Sequence, residues 1–190
     1  MDNVDMSRVR FATARALFET FPQSVTGIAT TPTDEHPVAF LQKLAAAGKF
    51  EDAVAFCAYL LPRREAVWWA CGCVRALLGD IAQSGAACLL AAEAWVYEPD
   101  DERRQAALKL GMESDSNAPL TWLALAAGWS GGMLSSHPEM PAPVPPYMTA
   151  RATRIAVQLS AHYMKDKSKL PAQLQACISD GIKLAETGLQ

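Results

Sequence analysis

Between Pro62 and Gly79 the chain reads RREAVWWACGCVRALL, and nearly every position around the middle of that run is apolar or small: Ala66, Val67, Ala70, Cys71, Gly72, Cys73 and Val74. Proline before and glycine after are the usual punctuation of a helix. A helix that is apolar all round has no face to turn to water, so other helices must wrap it. The segment therefore predicts a helical array with the 63–78 helix at its centre. Its adjacent tryptophans, Trp68 and Trp69, point about 100° apart, so one narrow face cannot hold both. Two readings follow. Both rings fill the core on two sides of a central helix, or one is buried and the other joins Arg63 and Arg64 in a surface of hot-spot composition. At least one ring is expected to be buried. Arg64 and Trp68, four residues apart, have the spacing of a cation–π pair.

The rest of the chain repeats the helical pattern. Of its 190 residues 51% are hydrophobic, and much of that is alanine, which has the highest helix propensity and lets helices approach closely. Phe11, Ala14, Phe18 and Phe21 form a stripe on a helix expected from Ser7 to Phe21, followed by a loop over 23–36. Pro37 opens a helix that Gly48 stops, and Phe50 to Leu61 gives the next, so the two should pack as an antiparallel hairpin. Further helices are expected over 84–96, from Asp100 or Asp101 to Leu110, from a cap at Ser116 or Asn117 to Trp129, from Thr149 to Met164, and over 170–189. The carboxylate pairs Glu51-Asp52 and Asp100-Asp101 fall in first turns, where the helix dipole favours acids. The fold class is thus all-α: about eight helices in antiparallel pairs, closing as a bundle or stacking as a short solenoid. Trp68, Trp95 and Trp122 are evenly spaced, but their neighbours do not align as a repeat.

Residues 133–146, MLSSHPEMPAPVPP, carry five prolines and read as an extended surface connector, neither helix nor sheet as a whole. The division that results is an N-terminal helix and loop over 1–36 and a helical domain over 37–190.

Composition limits the chemistry. A net charge of −3 argues against a nucleic-acid surface, which needs a basic face. No run of apolar residues is long enough to cross a membrane, and the N-terminus lacks the pattern of a signal peptide, so a cytoplasmic protein is expected. Cys57, Cys71, Cys73, Cys88 and Cys177 lie among apolar residues and read as buried free thiols. Cys71 and Cys73 point about 200° apart on a helix and do not chelate one ion. His36, His137 and His162 have no carboxylate or cysteine at a dyad spacing, and no phosphate-loop, hydrolase or zinc-protease motif is present. No metal or cofactor is expected.

Trp129-Ser130-Gly131-Gly132 is the second unusual feature. Two glycines permit a sharp exit from a helix, with Trp129 packed beneath the cap. The alternative is close approach of backbone to a ligand.

The run Leu44-x3-Gly48-Lys49-Phe50-x-Asp52-Ala53-Val54-x-Phe56, then LPRREAVWWACGCVR, AEAWVYEP with Arg103-Arg104-x-Ala106, and WSGG resembles an uncharacterised bacterial family over about residues 37–190. Some members of that family are associated with type VI secretion gene neighbourhoods that include effector and spike genes. The resemblance brings no catalytic residues. It implies a non-enzymatic protein-binding accessory, adaptor or co-chaperone, whose partner is a secreted effector, its chaperone or a spike protein. The alternatives are a general helical scaffold in another regulatory assembly and an enzyme whose active site assembles only in space. The candidate protein-binding residues are Arg63, Arg64, Trp68, Trp69, Trp129, Ser130 and Gly131.

Overall fold

A computed structural model of the chain describes residues 9–79, 83–135 and 142–189. Of these residues 72% are helical, and the strands among them make a single two-stranded ribbon, so the fold is an all-α array. The helices are α1 (Ala14–Thr20), α2 (Pro37–Ala46), α3 (Phe50–Leu60), α4 (Arg63–Leu78), α5 (Gln83–Tyr97), α6 (Asp101–Glu113), α7 (Pro119–Gly128), α8 (Met148–Tyr163) and α9 (Leu170–Thr187).

Local chemistry sets most of these boundaries. Pro37 and Pro119 sit in first turns, where a missing N–H removes no helical hydrogen bond. Asp100 caps α6 by accepting from the Arg103 N–H at 2.7 Å. Gly79 ends α4 at φ +65°, a conformation costly for any residue with a Cβ. The first helix begins later than its aromatic stripe predicts. Thr13 is the cap, its hydroxyl accepting from the Ala16 N–H at 3.1 Å. The Ala14 and Arg15 N–H groups donate to Glu35 O and Thr33 O across the following loop, so a tertiary contact starts the helix.

α4 packs against α3, α5, α7, α8 and α9 and occupies the centre of the array. α7 is enclosed by α4, α5, α6 and α8, and every one of its residues except Trp122 is buried. α3 is buried without interruption from Ala53 to Leu60 and packs against α2, α8 and α9. α1 joins the same core: Phe18 lies edge-on to Phe40 and 6.1 Å from Phe56.

The proline-rich connector departs from its expected form at both ends. Met133–Ser135 (β1) pairs antiparallel with Ala142–Pro143 (β2), Met133 opposite Pro143. A two-stranded ribbon has only edges, and an edge position tolerates proline because the absent N–H faces away from the partner.

All five cysteines are free and buried. Burial pushes the Cys57 and Cys71 thiols far up. A thiol whose value is raised on folding favours the folded state below its unfolded value, and that contribution fades as pH rises. The urea midpoint under reducing conditions is therefore expected to stay level from about pH 7 to 8. It should fall above the ordinary thiol value of about 9, as the unfolded chain loses these protons. A Cys57→Val, Cys71→Val variant should show a shallower fall; an identical slope would remove the thiols as its cause.

Candidate functional site

α4 begins directly after Pro62, and its register determines what each candidate residue touches. The two arginines at its start reach the C-terminal ends of two different helices. Arg63 donates from Nη1 to Ser130 O at 2.7 Å, beyond the end of α7. Arg64 donates from Nε to Val96 O at 2.7 Å and from Nη2 to Tyr97 O at 3.4 Å, at the end of α5. Last-turn carbonyls lack intrahelical donors and carry the negative end of the helix dipole, so a guanidinium suits them on both counts. Arg64 therefore turns to α5. Among the described residues the cation–π contacts are made by Arg10, over Phe11 and Phe21.

Arg104, present in the Arg103-Arg104 pair of the sequence, was not among the candidates but completes the turn at Trp129-Ser130-Gly131-Gly132. Its side chain is only 12% exposed and pairs with Asp101 at 2.6 Å. Its Nη1 donates to Gly128 O at 3.0 Å and Gly131 O at 3.1 Å. Gly132 has φ +79°, and a Cβ there would lie 2.7 Å from this guanidinium. Trp129 is half-buried at the end of α7, with its ring 6.4 Å from that of Trp122, and its carbonyl accepts from the Thr149 hydroxyl at 3.1 Å. Four backbone carbonyls of this turn thus take donors from Arg63, Arg104 and Thr149. The turn is a helix end held by side chains from α4, α6 and α8, which accounts for Gly132, whereas a Cβ on Gly131 would meet nothing nearer than Arg104 Cδ at 4.0 Å.

Trp68 and Trp69 part company. Trp69 is 4% exposed, and its Nε1 donates to Cys177 O of α9 at 2.8 Å. Trp68 is 47% exposed. Both line a cleft of about 450 Å³ between α4, α5 and α9, with Gly72, Cys73 and Ala76 from α4 and Ala176, Cys177 and Leu184 from α9. One edge carries Arg75 and Glu93, paired through two hydrogen bonds of 2.8 and 2.7 Å. Asp180 lines the other side and lies 3.2 Å from Lys183. The site is an apolar floor with an exposed indole, bordered by charges that are already matched. Arg75 and Glu93 escaped the sequence reading because they lie on separate helices, although Arg75 follows Trp68 by seven residues on one helical face.

Among the described residues no group of three or more His, Cys, Asp and Glu side chains is placed to hold a metal ion. His36 caps α2, its Nδ1 accepting from the Val38 N–H at 3.4 Å. The His162 ring stacks edge-on to Tyr163, and His137 lies outside the described residues. No described helix is long and apolar enough to cross a membrane.

No curated protein and no solved structure matches the chain. A family model does, over residues 40–185, a span that takes in both the Trp68 cleft and the arginine-held turn after α7. The chain belongs to the DUF6931 family, a family of unknown function.

Proposed function

We propose that this protein is a non-enzymatic protein-binding accessory, an adaptor or co-chaperone, whose partner docks over Trp68. The observation that carries the reading is the exposure of Trp68, 47%, on a helix whose next residue is in the core. An exposed indole beside an apolar cleft is an unfavourable surface in isolation, and tryptophan anchors of this kind dominate protein interfaces. The paired charges at the cleft's edge suit a polar rim around such an anchor. The resemblance to a family of which some members are associated with type VI secretion gene neighbourhoods favours a secreted effector, its chaperone or a spike protein as the partner.

The test is affinity capture from native lysate with the parent protein and a Trp68→Ala variant. The parent is expected to recover a secretion component, and the variant to lose it while melting like the parent. Repeated capture without any secretion component, or equal recovery by both proteins, would refute the proposal.

A further inference from the structure

The arginines divide by partner. Arg15, Arg75, Arg103 and Arg104 each form an ion pair with a carboxylate. Arg10, Arg63, Arg64, Arg151 and Arg154 form none among the described residues. Arg64 is committed to the end of α5. Two of the other four, Arg10 and Arg63, line a cavity of about 330 Å³ together with Tyr59. In a chain of net charge −3, two cations without an ion-paired carboxylate at one place form a local field of the opposite sign to the whole.

Tyr59 supplies a second, independent observation. It is 2% exposed and lines the cavity, and a phenol hydroxyl can both donate and accept a hydrogen bond. Removal from water and the nearby Arg63 lower the Arg10 guanidinium below its ordinary value, against the opposing pull of Glu65. Arg63 gives one N–H to Ser130 O, which leaves it further donors, since a guanidinium has five. Apart from Thr149, whose hydroxyl donates to Trp129 O, the remaining wall is apolar: Phe21, Ala58, Leu61, Ala66, Pro146 and Ala150.

We infer that this pocket binds a small organic anion, an oxyanion carried on an apolar body, with Arg10 and Arg63 on the oxyanion and the Tyr59 hydroxyl donating to it. The volume lies at the lower end of ligand pockets, which suits a single ring or a short aliphatic chain. A carboxylate and a phosphate both satisfy the two guanidiniums. The site is separate from the Trp68 cleft, and the inference does not depend on the proposed protein partner.

The test is titration of the full chain with 3-phenylpropionate, phenyl phosphate and the neutral 3-phenylpropanamide, followed by isothermal calorimetry. At least one acid should bind saturably and at least about tenfold more tightly than the amide, the loss expected when a charge-assisted pair is removed. The tighter acid names the source of the oxyanion. Arg10→Gln, in the stretch before α1, should weaken that acid about tenfold while the fold stays intact, its melting temperature lowered only by the few degrees that the lost stacking on Phe11 and Phe21 accounts for, and Tyr59→Phe should weaken it severalfold. Saturable binding of neither acid, or an amide that binds as tightly as both, would overturn the inference using the parent protein alone. Equal affinity of the parent and a folded Arg10→Gln variant would also overturn it.

Discussion

Trp69→Ala is expected to lower the stability of the fold by about 3–5 kcal/mol, the usual loss for truncating a buried large aromatic residue. For a domain of this size that corresponds to a fall in melting temperature of roughly 6–20 °C. Two losses combine. The ring leaves a cavity where α4 meets α9, and Cys177 O loses the indole N–H that donates to it at 2.8 Å. Trp68→Ala, one residue away, should change stability by less than about 1 kcal/mol, because nearly half of that side chain already faces solvent. Urea or thermal denaturation of the two single variants measures the difference directly. Equal losses would place both rings in the core and remove the main support for the binding face. Two variants that melt like the parent would show α4 to be peripheral.

The second large effect concerns a helix contact made possible by the absence of a side chain. A Cβ on Gly128 would lie 2.6 Å from Leu108 Cα and 2.9 Å from Leu108 N. The obstacle is backbone, so no rotamer change relieves it, and α6 and α7 must move apart. Gly128→Ala should therefore cost about 2–3 kcal/mol, the overpacking strain outweighing the roughly 1 kcal/mol by which alanine improves helix propensity. Gly72→Ala is the control. A Cβ on Gly72, in the middle of α4, meets nothing within 4 Å, and that substitution should stabilise by about 0.5–1 kcal/mol. Chemical denaturation of both variants decides the matter. A neutral Gly128→Ala would mean that the α6–α7 contact is looser than the distances state.

The contrast between these two glycines shows where sequence reasoning stops. Both occur within alanine-rich helical runs, and propensity assigns them the same cost. Only the neighbour that each one faces separates them. The same holds for the arginines. The spacing of Arg64 and Trp68 suggests a pair, but the end of α5 offers Arg64 two carbonyls that lack donors, and a charge-assisted bond to such an oxygen is stronger than an exposed cation–π contact. Trp129-Ser130-Gly131-Gly132 is legible as a helix end. That Arg63 and Arg104 hold it is not legible, because Arg63 reaches Ser130 across 67 positions of chain. The pocket at Tyr59 is likewise built from the stretch before α1, the end of α3, the start of α4 and the start of α8, segments that carry no common motif.

The all-α class, most helix boundaries and the central place of α4 follow from the sequence by itself. Proline and glycine restrict the backbone wherever they occur, and a segment without a polar face must be enclosed whatever encloses it. The identity of the buried tryptophan was settled only by the tertiary structure. Trp68 and Trp69 are equivalent in every local property. The arrival of α9, with Cys177 O as an acceptor and Gly181 leaving room beside the indole, takes Trp69 into the core and leaves Trp68 at the surface. The reason is physical: helix periodicity fixes the angle between two side chains, but the direction in which the pair faces depends on contacts between residues far apart in the chain.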